Sequence, residues 1–413
     1  MDFEILYITF NCLIYLVSFI FLLKNRGFDA TSYIFLLWAI SSFFSILYFN
    51  SSIYFITKSS ITLFPFLYIF VCYLVFNLPL LNFKSNSIIK IYGNPIILKS
   101  LIYVTAITSI LPFIENLLHI FLSGNTMNLS DNYEDRSNSD FDARAHMSFI
   151  GSKLNSITLF LNHISPILLF YFLSKVKKWD FFIVLITIGL IFSTFNPSLF
   201  KFNLGSRTSS IQDLFYIGFV YLIFKNQLSI SVRRFALIFI SILVFVLLLG
   251  VFLITVGRFE DSDFSLIEWL YRYSGESFTN FNGDLWNSKK TLNGLNSFSN
   301  IFSGEDRNVF SLDQKMGIRM FVFYTFIGDL VADFGLIITF LIILFFSLVL
   351  INRFSNNYLP IWKILIICLY ARIILTGFTF LYIINGGQYY IFSLMLGMVL
   401  WYNDRKIKIK NEK

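Results

Sequence analysis

Long apolar segments alternate with short polar breaks along the whole chain. A membrane-spanning helix needs about 20 mostly apolar residues, and eleven segments meet that requirement within a few residues at each end. They cover residues 5–23, 31–49, 59–81, 100–122, 156–174, 181–198, 209–224, 235–256, 335–351, 359–384 and 388–402. The pattern predicts an all-α, polytopic membrane protein in which residues 1–413 form a single integral membrane domain.

Positive charge is concentrated in every second polar break. These breaks carry 17 Lys and Arg residues between Lys24 and Lys413, whereas the short breaks on the opposite side carry only Lys58, Lys201 and Arg207. Because cytoplasmic loops of membrane proteins hold the excess of Lys and Arg, the charged breaks are predicted to face the cytoplasm. The amino terminus is then expected to be periplasmic and the carboxy terminus cytoplasmic.

Composition excludes the soluble classes. Hydrophobic residues make up 56% of the chain and charged residues only 14%, whereas a soluble domain needs about a quarter of its residues charged. A cytosolic enzyme and a nucleic-acid-binding protein are therefore excluded, and the net charge of +8 is explained by the cytoplasmic breaks rather than by an acidic partner. Asp2 and Glu4 stand where a secretory signal carries Lys or Arg, so the first apolar run is expected to be a retained span.

Two long polar segments fall on the predicted outer side, a first external loop over 123–155 and a large external loop over 257–334. The large loop is expected to form part of an active site. The cytoplasmic breaks are too short for a nucleotide-binding domain and the chain has no P-loop or dinucleotide motif, which argues against ATP-driven transport. No metal site or disulfide is predicted from the scattered residues His119, His146, His163, Cys12, Cys72 and Cys368.

Three arginines are the first candidates for binding an anion. Arg207 and Arg258 lie at the predicted outer ends of spans, where a guanidinium can form paired hydrogen bonds to a phosphate. A snorkelling interfacial side chain is the alternative for Arg207. Arg372 lies near the centre of the tenth predicted span, where a charge should face the bundle interior with a partner, so a purely structural ion pair is the alternative there. The possible partners are Glu115, Asp213, Asp329 and Asp333.

The large external loop begins with an amphipathic segment over 265–274. Leu266, Ile267, Leu270 and Tyr273 share one face of a helix, which predicts an interfacial helix lying along the membrane with Arg272 at its polar edge. An ordinary amphipathic loop helix is the alternative.

Amide and aromatic residues are mixed through the following stretch, from 278 to 302. Amide groups can pair with sugar hydroxyls while aromatic rings cover the apolar side of a pyranose, so this stretch is predicted to contact a glycan. The candidate glycan-binding residues are Tyr273, Phe281 and Trp286. A loop that is rich in Asn for compositional reasons alone would look the same.

Apolar content continues over residues 318–351, which is too long for one ordinary span. Gly328-Asp329 and Asp333-Phe334-Gly335 interrupt it, and a split at these acids predicts a re-entrant or interfacial helix before the ninth span. That helix would carry Arg319, Asp329 and Asp333 at the outer face of the membrane.

Three short motifs, their order along the chain and the eleven predicted spans together resemble the Wzy-type O-antigen or oligosaccharide repeat-unit polymerases. The motifs are Gly205-Ser206-Arg207-Thr208 before one helix, Gly257-Arg258 after another and Asp333-Phe334-Gly335 at the start of a third. The resemblance covers most of the chain. It implies a GT-C-like glycosyltransferase of the bacterial inner membrane that needs no metal or nucleotide sugar and acts on undecaprenyl-diphosphate-linked oligosaccharides. A separate chain-length regulator is also implied.

The same resemblance implies that Arg207, Arg258 and Arg372 lie near the lipid diphosphate, with Arg272 and Arg319 as further candidates. When the sugar C1–O bond breaks, negative charge develops on the departing diphosphate, and fixed guanidinium groups can stabilise it. A carboxylate can accept the proton of the attacking hydroxyl. The candidates for this catalytic base are Asp329, Asp333, Glu276 and Asp261.

Three other functions remain compatible with the sequence, and one of them is a lipid-scaffolding or channel protein without chemistry. An O-antigen ligase shares the fold class and the lipid donor, but the ligase pattern implies a functional His in the large external loop, and residues 257–334 contain none. A polysaccharide flippase or other secondary transporter would need charged residues along a cavity through several spans. Most candidate residues here cluster instead at the predicted outer surface.

Overall fold

The computed structural model describes residues 2–56, 60–122, 144–204, 206–238, 263–299, 309–320, 322–351, 357–381 and 383–411, together with isolated positions between 241 and 353. These residues are mostly helical, and the prediction of an all-α membrane protein is confirmed. The described helices are α1 (Asp2–Arg26), α2 (Ala30–Phe49), α3 (Ser52–Ile56), α4 (Leu63–Asn82), α5 (Pro95–Leu122), α6 (Phe149–Phe160), α7 (Ser165–Lys175), α8 (Phe181–Asn203), α9 (Arg207–Phe224), α10 (Leu266–Asn280), α11 (Val309–Met316), α12 (Phe326–Leu350), α13 (Ile361–Leu375) and α14 (Ile383–Asn411). Two three-residue strands, β1 (Lys90–Tyr92) and β2 (Tyr358–Pro360), pair in parallel.

Six of the described helices are long and apolar enough to cross a membrane: α1, α2, α4, α5, α8 and α12. The pair α6–α7 passes the same test together but is bent by 79° at its break. The predicted eighth span, 235–256, lies largely outside the described residues. The predicted tenth span is not one helix, because α13 ends at Leu375 and irregular backbone follows. The count of eleven spans and the GT-C fold stay predictions.

The chain divides into two compact units. The first contains Met1–Ser85, Asp263–Asn356 and Tyr370–Gln388, and the second contains Asn86–Ser262, Tyr389–Lys413 and residues 357–369. Aromatic rings fill the core of the first unit between α1, α2 and α4. The Trp38 ring centroid lies 4.3 Å from that of Tyr73, and the Tyr15 ring contacts both. These large rings bury apolar area where the three helices meet.

Helix α10 packs antiparallel to α2 in the first unit. Near the start of α10, Glu268 accepts a hydrogen bond from the N–H of Ser52 at 2.9 Å, just beyond the end of α2. Ser41 then donates to the carbonyl of Ser274 at 2.6 Å, and the Phe278 ring lies 5.8 Å from that of Trp38. Residue numbers therefore rise along α10 as they fall along α2.

A glycine makes this close approach possible. A Cβ at Gly275 would lie 2.4 Å from the backbone of Phe44 and Ser45, so a larger residue would push α10 away from α2. Because α2 is a candidate membrane span, α10 extends alongside that span. The predicted helical structure of this segment is confirmed, and its predicted position along the membrane surface stays a prediction. The apolar face at Ile267 and Leu270 is exposed, and the opposite face, with Gly275, determines the packing.

The second unit contains two parallel helices, α5 and α8, in a regular register. Ser109 donates to the carbonyl of Gly189 at 2.7 Å, and Asn116 donates to the side chain of Asn196 at 2.9 Å, so both pairs are 80 residues apart. Asn196 in turn donates to Asn155 of α6 at 2.8 Å. Such polar contacts join helices in an apolar environment, where an amide without a partner would be costly.

Candidate functional site

An ion pair on α10 is the first element of the candidate site. Ser265 and Glu268 form a capping box that begins the helix, and the i, i+4 spacing places Arg272 and Glu276 on one face. Arg272 Nε donates to Glu276 Oε2 at 2.9 Å, with 22% of the Arg272 side chain exposed but only 4% of Glu276. Burial raises the pKa of Glu276 above its usual value, although the Arg272 charge acts in the opposite direction.

A second ion pair joins Arg319 to Asp284. Arg319 Nη2 lies 2.9 Å from Asp284 Oδ2, and these side chains are 34% and 16% exposed. The prediction that Arg319 lies on a helix is wrong, because α11 ends at Met316 and α12 begins at Phe326. Irregular backbone allows the Tyr324 hydroxyl to donate to the Arg319 carbonyl at 2.6 Å. Asp284 and Tyr324 therefore hold Arg319 at its guanidinium and at its backbone.

Tyr324 connects the two ion pairs. Burial raises the pKa of the Tyr324 phenol, the negative charges of Asp284 and Glu276 raise it further, and the Arg319 charge lowers it. Glu276 also accepts a hydrogen bond from the N–H of Phe323, the residue before Tyr324, at 3.4 Å. We call Arg272, Glu276, Asp284, Arg319 and Tyr324 the ion-pair cluster.

Asp329 and Asp333 lie on the first part of α12 and are buried. Asp333 accepts hydrogen bonds from the N–H groups of Asn296 and Ser297, both at 2.9 Å. Asp329 accepts from the N–H of Leu381 at 2.6 Å. Each carboxylate therefore satisfies backbone groups of an adjacent irregular segment, which gives both residues a structural role.

The backbone breaks at Gly335, inside α12. Its φ of 77° and ψ of 172° are not helical, and they lie in a region that favours glycine. This confirms the predicted division between the acid-containing segment and the following apolar span. At membrane depth, irregular backbone of this kind must be buried in protein or line a polar cavity.

The predicted glycan-binding residues differ in exposure. Phe281 is fully buried and packs against Tyr68 and Trp286, with ring centroids 6.2 and 6.1 Å away. A glycan contact at Phe281 stays a prediction. Trp286 and Tyr273 are half-buried, and Tyr273 lies 5.9 Å from the ring of Phe323 beside the ion-pair cluster.

Several amides of the predicted glycan-binding stretch are already paired with backbone. The Asn282 side chain donates to the Thr62 carbonyl at 2.6 Å and accepts from its N–H at 2.9 Å. Asn280 donates to the Phe323 carbonyl at 3.2 Å. Residues 278–282 form the buried end of α10 and the turn after it, so this part of the stretch lies in the core of the first unit.

The three arginines that were predicted to bind diphosphate have different positions. Arg372 lies in the last turn of α13, in the first unit, and is almost fully buried. A cation is favourable at that end of a helix, because the last carbonyl groups carry partial negative charge. Arg207 begins α9 in the second unit, and Arg258 lies outside the described residues, as does Asp261. The convergence of Arg207, Arg258 and Arg372 stays a prediction.

Two members of the ion-pair cluster were missed by the sequence analysis, Asp284 and Tyr324. Asp284 lies between Asn282 and Trp286, in the stretch whose amides and rings predict a glycan contact. The presence of Arg319 in the same loop is the sequence feature that indicates a role for Asp284, because a partly buried arginine needs a carboxylate partner. No sequence feature indicates a role for Tyr324, because it lies within an apolar run and its partners in space depend on the fold.

The part of the chain that the structure describes contains no group of three or more His, Cys, Asp or Glu side chains that could hold a metal ion. His119 and His146 lie in the second unit with ring centroids 4.2 Å apart, and His146 Nε2 is 3.0 Å from Asn116 Oδ1. These contacts are typical of a half-buried polar network.

Comparisons with protein-family models, curated proteins and solved structures give no match for this chain. The features that indicate a function are therefore those of its own residues. In the first unit these are two partly exposed arginines, each held by a carboxylate, around a buried tyrosine.

Proposed function

We propose that the protein is a glycosyltransferase of the bacterial inner membrane that polymerises undecaprenyl-diphosphate-linked oligosaccharide repeat units. The growing glycan leaves its carrier lipid and joins the nonreducing end of an incoming lipid-linked unit, giving O-antigen or capsular polysaccharide. The observation that carries this proposal is the ion-pair cluster, in which two arginines with partly exposed side chains are each paired with a carboxylate, one of them buried. A chain-length regulator is the expected partner.

The arginines supply the anion-binding part of the proposed site. Within the described residues, Arg272 uses only Nε and Arg319 only Nη2 to pair with a carboxylate. The remaining guanidinium nitrogens can donate to the oxygens of a diphosphate. Preorganised donors of this kind stabilise the charge that develops on a leaving diphosphate without needing a metal ion. Arg207, Arg258 and Arg372 are proposed as further contacts to the same group.

Glu276 is the preferred base among the four candidates. Its burial raises its pKa, which makes the carboxylate a better proton acceptor, and a base works best when its pKa is close to the operating pH. In the proposed step Glu276 takes the proton of the acceptor hydroxyl while the oxygen of that hydroxyl bonds to the sugar C1. The bond between C1 and the diphosphate oxygen breaks, and its electron pair stays on the diphosphate. Tyr273 and Trp286 are proposed to contact the glycan.

A polysaccharide flippase is the second candidate, favoured by the interrupted helices of the first unit. The backbone is irregular between α11 and α12 and again after α13, and α12 breaks at Gly335. Transporters bind their substrates where membrane helices are discontinuous. An O-antigen ligase remains the closest enzymatic alternative.

A gene deletion analysed on a surface-glycan gel distinguishes the three functions. Loss of a polymerase leaves lipid A-core bearing a single repeat unit. Loss of a ligase leaves bare core with polymer still on the carrier lipid, and loss of a flippase leaves single units facing the cytoplasm. Either of the last two results would contradict the proposed function.

A further inference from the structure

We infer that a diphosphate group binding to the cluster draws Arg272 away from Glu276 and thereby couples its own binding to the uptake of a proton by Glu276. This inference rests on the proposed function, and it concerns how the site is regulated. Donor that binds alone leads Glu276 to take this proton from solvent, and the base is then occupied. When the acceptor is already bound, its hydroxyl supplies the proton in the transfer step instead.

The geometry of the pair allows this exchange. Arg272 is the exposed partner and Glu276 the buried one, so an anion from outside meets the guanidinium first. Only Nε of Arg272 is engaged by Glu276 among the described residues, and the guanidinium carbon lies 5.1 Å from the centre of the Trp269 ring. The ring can continue to support the guanidinium after the carboxylate is released.

Glu276 cannot follow Arg272. Ser277, the next residue, donates to the Phe378 carbonyl, and Gly275, the preceding residue, is in close contact with the backbone of α2. Oε1 of Glu276 also accepts from the N–H of Phe323. The carboxylate therefore stays buried when its cation moves toward a ligand.

The charges around Glu276 determine the direction of the effect. Arg272 on the same helix is the cation that acts on Glu276, and Tyr324 is the titratable group that faces it from the segment before α12. Tyr48, at the end of α2, and Tyr273 act on Arg272. Once a bound diphosphate neutralises Arg272, the buried carboxylate loses its counter-charge and lies near a new negative charge. Both changes favour its protonated form.

Calorimetry on the purified full-length protein in nanodiscs tests the coupling. The probe is a diphosphate diester that carries a short isoprenoid on one phosphate and a hexose on the other, because such a diester does not titrate near neutral pH. Titrations in buffers of different ionisation enthalpy give the number of protons taken up per ligand. We expect an uptake of up to about one proton that declines towards zero as pH rises, with affinity falling by at most about tenfold per pH unit over the same interval.

Two variants identify the group that titrates. Glu276→Gln should still bind the diester but take up no proton. Asp263→Asn removes an exposed carboxylate from the segment before α10 and should behave as the unmodified protein. Equal proton uptake by Glu276→Gln and the unmodified protein would overturn the inference.

The unmodified protein provides a test that does not depend on folding of a variant. Affinity for the diester that is independent of pH would overturn the inference even if Glu276→Gln could not be purified. The two proposals can fail separately. If deletion of the gene leaves glycan chains unchanged but the purified protein binds the diester with proton uptake, the proposed function is contradicted and the inference is retained. If deletion abolishes polymer but the diester binds without proton uptake, only the inference is contradicted.

Discussion

The carboxylate of Asp284 accepts a hydrogen bond from the guanidinium of Arg319, although 35 residues separate them in sequence. Asp284 follows α10 and Arg319 lies between α11 and α12, so folding of the first unit brings them together. Tyr324 holds the backbone of Arg319 at the same time. The guanidinium is therefore fixed in direction before any ligand binds.

Removal of Asp284 should weaken binding of the lipid donor more than it weakens the fold. A partly exposed ion pair contributes at most about 1 kcal/mol to stability. Asp284→Ala should leave thermal unfolding nearly unchanged but raise the KM for donor by about tenfold, the loss of one charge-assisted contact. Lys at position 319 should replace Arg poorly in donor binding, because its single ammonium lacks the paired hydrogen-bond donors of a guanidinium. Asp263→Asn is the matched control, and an equal KM for Asp284→Ala and the control would contradict a positioning role.

Acid should detach the start of α10 from the end of α2. Hydrogen bonds from the Ser52 hydroxyl and N–H, then from Ser265, lower the pKa of Glu268 from 4.5 to about 2. A carboxyl group whose pKa is lower in the folded state stabilises the fold above its unfolded pKa. The contribution should disappear as pH falls from about 4.5 to about 2.

Thermal unfolding midpoints measured through that pH interval check this expectation. Glu268→Gln should be less stable than the unmodified protein near neutral pH and should show a smaller loss on acidification. Parallel pH profiles for the two proteins would show that Glu268 does not carry the acid dependence.

Replacement of Gly275 should separate α10 from α2. Gly275→Ala places a methyl group against the backbone of Phe44 and Ser45, and overpacking of this kind costs typically about 1–3 kcal/mol. Gly397→Ala is the matched control, because its Cβ would meet only side-chain atoms of Ile366 and Leu365 at 3.4 Å or more. Thermal unfolding in detergent should show destabilisation for Gly275→Ala alone, and equal midpoints would contradict the close approach.

Replacing Asp333 by Asn should mainly lower stability, whereas replacing Glu276 by Gln should mainly lower activity. Asp333→Asn leaves a buried backbone N–H of Asn296 or Ser297 without an acceptor, which costs about 1–3 kcal/mol. Glu276→Gln should keep the protein folded but abolish polymer formation. Thermal unfolding and a polymerisation assay on both variants separate the roles, and a stable but inactive Asp333→Asn would return Asp333 to the list of candidate bases.

The arginines outside the ion-pair cluster can be tested in cells. Arg207→Ala and Arg372→Ala should each abolish polymer while the protein still inserts, and Lys at either position should rescue poorly because paired hydrogen bonds are lost. Arg234→Ala, which changes an exposed arginine in a predicted cytoplasmic break, is the control. Normal long-chain glycan from both alanine variants at unchanged protein levels would remove their proposed contact with diphosphate.

Local sequence signals predicted several features of the site correctly. The shared face of Leu266, Ile267, Leu270 and Tyr273 predicted the helix that carries Arg272, because helical spacing depends on neighbours in sequence. Gly335 likewise marked the break in α12. The packing of α10 against α2 was not predictable, since an amphipathic pattern shows that one face is apolar and not what covers the other.

The sequence by itself determined that this is a helical membrane protein, because the length of an apolar run and the placement of charge are local properties that a bilayer selects directly. It also supplied the candidate residues for an anion site. Only the tertiary structure decided that Arg319 meets Asp284, that Glu276 is buried beside Arg272 and that Phe281 is core. These outcomes depend on contacts between residues far apart in the chain, and no periodicity in the sequence specifies which distant partner a polar side chain will meet.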